Sequence, residues 1–167
     1  MEHFPPQGHR PHMPGYGIAE GPAGQLDFAW AEHRLTNSHG YWLATVRPDH
    51  RPHVMPVWAV WLDDALWFST AVGSRKGRNL LSEPRCSITT DDPSEPVVVD
   101  GEANAVVDPA LLARFLRSSN DKYDVAYEID FLDPARNHTF RVEPETIIAL
   151  TEAEFTTSPT RWSRTDR

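Results

Sequence analysis

Residues Trp67–Pro84 read W-F-S-T-A-V-G-S-R-K-G-R-N-L-L-S-E-P. The stretch predicts a strand ending at Ser69 and Thr70, a glycine turn, and a helix that starts at Ser74 with the serine as its cap. Hydroxyls, free helix N–H groups and the cations Arg75, Lys76 and Arg78 then meet at one place. A phosphate needs that combination, because donors at a helix N-terminus add their partial positive charge to that of the side chains. The chain has a formal net charge of −8, and its only lysines are Lys76 and Lys122, so one of the two falls here. By spacing alone, a solvated surface helix capped by Ser74 reads the same way.

Outward from this stretch the pattern is mostly β. Tyr41–Arg47 alternates, turns through Pro48–Pro52 and returns as His53–Leu62, and Asp63-Asp64 turns the chain into Ala65–Thr70. Strands are expected at Arg85–Thr90 and Pro96–Val107, the latter interrupted by Gly101, which marks a bulge or a close backbone approach. Asn137–Val142 and Thr146–Leu150 predict two more, followed by a tail through Thr160-Arg161-Trp162. Gln25–Asn37 suits a short amphipathic helix, and Asp108-Pro109 opens another, as N-cap and N1, running to about Ser118. Strands adjacent in sequence and joined by tight turns make this a mainly β chain with flanking α-helices, a closed or partly closed antiparallel barrel. Residues 1–24, rich in Pro and Gly and carrying His3, His9 and His12, lack an apolar period. They are read as a flexible arm ahead of a barrel domain over 25–167.

Composition narrows the function. At 167 residues, 40% of them hydrophobic and six of them tryptophan, one domain with a substantial core is expected. An acidic chain speaks against general binding of nucleic acid or of anionic membranes. Cys86 is the sole cysteine and cannot make an internal disulfide. No apolar run is long enough for a bilayer, and no charged-then-apolar leader opens the chain, so a reducing, cytoplasmic setting is expected.

The ordered set Y-W-L-A-T-V-R, P-H-V-M-P-V-W, L-W-F-S-T, S-R-K-G-R-N-L, E-P-R-C-S-I and V-D-G-E-A resembles the flavin and deazaflavin oxidoreductases of FMN-binding split β-barrel fold. These are the relatives of pyridoxamine 5′-phosphate oxidase. The resemblance covers roughly Gln25 to Trp162, and the S-x-K-x-x-N-L-x-x-x-P run from Ser74 to Pro84 is its most specific part. It implies a homodimer that binds a phosphate-bearing tricyclic cofactor in a cleft between subunits, together with a small-molecule substrate. By position, Ser74, Arg75, Lys76 and Asn79 would hold the phosphate, assisted by Thr70. Met55, Pro56, Val57 and Trp58 would line the ring through backbone groups and apolar contact.

P-V-W at Pro56–Trp58 and R-N-L at Arg78–Leu80 look like the branch that uses coenzyme F420, whereas Arg75-Lys76 keeps the basic pair of FMN oxidases. The resemblance favours F420, with FMN as the alternative. A non-enzymatic barrel holding flavin or haem is the reading of a different class, with His39, His53 and His138 as haem-ligand candidates. The activity implied is hydride transfer to an activated conjugated acceptor, which needs positioning and water exclusion more than a side-chain triad.

No catalytic residue is assigned. Tyr123 and Tyr127 could donate a proton, although such tyrosines commonly pack. Trp42 and Trp67 are read as packing residues, and Trp58 as either packing or ring contact. His9-x-x-His12 and the pair His50 and His53 lack a carboxylate at ligand spacing, so no metal is expected. Lys122 is expected to leave cofactor binding untouched.

Overall fold

From α1 (Phe28–Asn37) the chain enters β1 (Tyr41–Val46), whose pleat turns Tyr41, Leu43 and Thr45 inward and Trp42 to solvent. The computed structural model describes residues 7–164. β2 (Pro52–Val57) and β3 (Val60–Leu62) follow. Asp63 and Asp64 then both take left-handed backbone, with φ of 51° and 55°, the type I′ turn that matches strand twist. That turn leads into β4 (Ala65–Ala71), α2 (Arg75–Ser82), β5 (Arg85–Thr90), β6 (Val97–Val106), α3 (Pro109–Tyr123), β7 (Asn137–Ala149) and β8 (Thr160–Ser163).

All eight strands belong to one antiparallel sheet in the order β2-β1-β5-β6-β7-β4-β3, with β8 added on β7. β7 pairs with β6 along most of its length, with β4 over its first half and with β8 over its last residues. Those pairings curl the sheet into the half-barrel expected from the sequence.

β4 shows how the core divides. Leu66 and Phe68 point into the barrel among Leu43, Ile88, Phe140 and Ile147, while Ala65 and Trp67, on the other face, pack under α3 with Leu112, Phe115 and Leu132. Each large side chain buried this way contributes about 1.5–3 kcal/mol. α2 and α3 are set by their caps. Ser74 accepts from the Gly77 N–H, and Asp108 accepts from Ala110 and Leu111 ahead of Pro109 at the start of the helix.

Four boundaries differ from the expectation. His53–Leu62 is broken at Trp58-Ala59, because Tyr123 Oη takes both the N–H and the carbonyl of Ala59 out of the ladder. The two strands expected at 137–142 and 146–150 are one, since Pro144, which has no N–H to pair, lies opposite the bulge at Asp100/Gly101. α3 runs past Ser118 to Tyr123 and stops where Asp124 adopts φ 52°. A short 3-10 turn at Ile129–Leu132, which carries no periodic signal, precedes β7.

Of the stretch read as an arm, residues 1–6, including His3, lie outside the described residues. Residues 7–24 form no helix or strand. His9 bridges Arg161, and the Arg10 guanidinium donates to the carbonyls of Gly21, Ala23, Thr157 and Pro159. Among the described residues no helix is long and apolar enough to cross a membrane.

Candidate functional site

Thr70, one residue before the end of β4, has its hydroxyl 3.0 Å from Ser74 Oγ, and that oxygen caps the Gly77 N–H at 3.0 Å. The cap aims the first turn of α2 at the end of β4, as the sequence suggested. Asn79 is buried and donates its amide to Thr45 Oγ1 at 2.9 Å, tying α2 to β1. These contacts set the mouth of a cleft of about 440 Å³. The cleft gathers Pro56, Val57, Trp58, Thr70 and Lys76 from the residues expected to bind a cofactor, and adds Gly40, Ser69, Phe115, Ser119, Tyr127 and Phe131. Ser74 lies behind Thr70. Arg75 is exposed at the first turn of α2, and Met55, 44% exposed, stands on β2 outside the lining.

Beside the Lys76 end of the cleft lies a cationic cluster whose other members, Arg47, Arg75 and His53, stand outside the cleft lining, and the part of Arg47 and His53 in it was missed in the sequence. Thr45 pairs with His53 and Val46 with Pro52, so Arg47 and His53 come to the rim of the β1–β2 hairpin beside α2. Arg47 Nε and His53 Nδ1 are both buried without a hydrogen-bond partner. Burial, and then the charges of Arg47, Lys76 and Arg75, hold His53 below the ordinary histidine range. Among the described residues, none of Arg47, Arg75 or Lys76 is ion-paired with a carboxylate. A buried guanidinium N–H without an acceptor and like charges gathered together are both unfavourable, and an anion relieves both. Reading the two arms of the hairpin as a register, rather than His50 and His53 as a pair, brings Arg47 and His53 to the same end of the hairpin, but their meeting with α2 is a tertiary contact.

The other end is aromatic. Trp58 stacks on Tyr123, with ring centroids 4.4 Å apart and planes within 5°, while His39 stands edge-on to both. Tyr127 stacks on Phe131 at 4.4 Å and 9°. Tyr123 is hydrogen-bonded to the Ala59 backbone, and burial pushes its phenol up to about 12. Tyr127 instead lines the cleft, 42% exposed. Trp67 is core, as expected, whereas Trp42 is 48% exposed within this chain.

Lys122 is not the detached cation expected. Its Nζ donates to Tyr41 Oη at 2.7 Å and to the carbonyl of Ala59, the residue after Trp58, at 2.9 Å. Cys86 is buried, and burial pushes its thiol up to about 12, which suits a packing residue and not a nucleophile. Among the described residues no three His, Cys, Asp or Glu side chains are grouped to hold a metal.

The family model described as pyridoxamine 5′-phosphate oxidase matches residues 31–151. Among solved structures, an F420 reductase is 30% identical with a TM-score of 0.56, over 68% of this chain and 91% of that one. A conserved hypothetical protein from Mycobacterium tuberculosis is 24% identical with a TM-score of 0.68, over 76% and 86%. The heme storage protein of Vibrio cholerae is 23% identical with a TM-score of 0.59, over 72% and 91%, and like the previous one it shows the fold alone. No curated protein matches the chain.

Proposed function

Since the chain belongs to the pyridoxamine 5′-phosphate oxidase family, we propose that it is an oxidoreductase dependent on coenzyme F420, reducing an activated conjugated small molecule. The observation that carries this reading is the joining of the two ends of the cleft. The unpartnered buried Nε of the Arg47 guanidinium stands near α2 and Lys76, and Lys76 shares the cleft with an apolar slot of Pro56, Val57 and Trp58. A phosphate-bearing ring system has that same division of character.

Lys76 and Arg75, with Arg47, Thr70 and the capped turn at Ser74, hold the phosphate. Asn79 serves it by fixing α2 to Thr45. Trp58 and Val57 lie along the ring, with Pro56 and the exposed Met55 on the same strand. Bound F420 supplies a hydride. The chain's own part is to orient that cofactor, to exclude water with the Tyr127–Phe131 stack, and to stabilise developing charge with its cations. The 30% identity to an F420 reductase supports F420 over FMN. A lone buried thiol suits the reducing cytoplasm.

Titration followed by fluorescence, with F420, FMN and haem offered separately, tests the assignment. F420 should bind most tightly. Equal or tighter binding of FMN would overturn the deazaflavin reading, and preferential haem binding would move the chain to the non-enzymatic class.

The assembly we propose is a homodimer. Trp42, Val54, Met55 and Trp58 are 44–52% exposed on β1, on edge strand β2 and just beyond it, and so much apolar surface beside the cleft is suited to cover by a second copy. Sedimentation at micromolar concentration should give a dimer, and Trp42→Asp should give a folded monomer with weakened cofactor binding. A wild-type monomer with full affinity would remove the subunit interface from the site.

A further inference from the structure

The residue after Trp58 is held by side chains far along the sequence. The chain leaves the ladder at Ala59, between β2 and β3, and three side-chain hydrogen bonds from α3 seize that residue. Tyr123 Oη accepts from the Ala59 N–H at 2.8 Å and donates to its carbonyl at 2.9 Å, and Lys122 Nζ donates to the same carbonyl at 2.9 Å. Lys122 also donates to Tyr41 Oη, which in turn donates to the Leu35 carbonyl. The network thus joins α1, β1, the β2–β3 break and the last turn of α3. The indole of Trp58 lies flat on the ring of Tyr123, the same residue that fastens Ala59.

We infer that Lys122 and Tyr123 are positioning residues, which set the Trp58 indole in the cleft by clamping the backbone of Ala59. The clamp stands on the geometry alone, and its effect on cofactor affinity rests on the function proposed above.

The ammonium of Lys122 sits over the rings of Tyr41 and Tyr123, at 4.7 and 5.5 Å, with Asp91 as its more distant attraction. His39 and Asp121 face the same hollow. Burial pushes the lysine down to about 8. A lysine lowered in the folded state destabilises the fold fully below that value and ceases to do so as pH rises toward its unfolded range. Removing the charge with Lys122→Met is therefore not expected to lower stability at pH 7. Above pH 8 the neutral amine is a weaker donor to Ala59, so the clamp should slacken.

The test reads Trp58 emission as the difference between each protein and its Trp58→Phe counterpart, in a His39→Gln background so that the imidazole does not contribute. Between pH 6.5 and 9.5 that emission should change with a midpoint near pH 8, and Lys122→Met should abolish the transition. The dissociation constant for F420 should rise roughly two- to tenfold in Lys122→Met, the size of one net hydrogen bond. Tyr123→Phe, which keeps the stack and loses the hydroxyl, should alter Trp58 emission in the same direction, and decides the matter should Lys122→Met not fold. An unchanged emission profile in either folded variant overturns the clamp. Altered emission with unaltered affinity overturns its link to the cofactor. If the wild type binds no F420, the proposed function fails, while the emission result still decides the clamp.

Discussion

Gly101→Ala is expected to cost the fold about 3 kcal/mol, at the upper end of overpacking a close-packed interior. A Cβ there would stand 2.1 Å from the Glu143 carbonyl oxygen, 2.9 Å from its carbon and 3.2 Å from Pro144 Cα. All three are main-chain atoms of β7, so no side-chain rotation relieves the clash, and β6 and β7 must part at the bulge that accommodates Pro144. Urea unfolding should show a fall in midpoint with an unchanged slope. Gly73→Ala is the comparison, because a Cβ at Gly73 meets nothing within 4 Å and should leave stability level or raise it. A loss at Gly101 no larger than at Gly73 would mean that the two strands slide freely past one another.

Lys76→Ala should weaken F420 binding about ten- to a hundredfold, or 1.5–3 kcal/mol, the worth of one charge-assisted contact in a partly enclosed site. Lys76 lines the cleft and is only half-buried, so the fold should survive its truncation. Lys122→Ala cannot serve as the control, given its hold on Ala59. Arg117→Ala, an exposed cation on α3, can, and it should bind as wild type does. The loss at Lys76 should shrink for a cofactor fragment without the phosphate. Equal losses for both ligands would detach Lys76 from the phosphate and return the start of α2 to plain solvated surface.

The barrel was legible because its information is local. Alternation marks β1, Asp63-Asp64 marks the turn into β4, Asp108-Pro109 marks a helix start, and Gly101 marks a bulge. Thr70, Ser74 and Lys76 were legible for the same reason, lying within one strand–turn–helix unit. What escaped is non-local. Arg47 and His53 meet α2 only because the β1–β2 hairpin folds beside it, and no spacing along the chain encodes that meeting. The break at Ala59 depends on Tyr123, far along the sequence, and the unbroken β7 depends on a bulge in another strand that tolerates Pro144. Lys122 looked like a surface cation because burial by Tyr41 and Tyr123 is a tertiary fact.

The sharing of β7 among β6, β4 and β8 bears on how the chain reaches its native state. The β1–β2 and β3–β4 hairpins close over a few residues, but β7 reaches β6 across α3 and the turn beyond it, and β4 across a longer span still. Loop-closure entropy must be met before those pairings return anything. Local hairpins can therefore form and dissolve many times while the chain waits on one strand. β7 joins three partners in the native sheet, so the pairings with the highest loop-closure cost are expected to form as one unit.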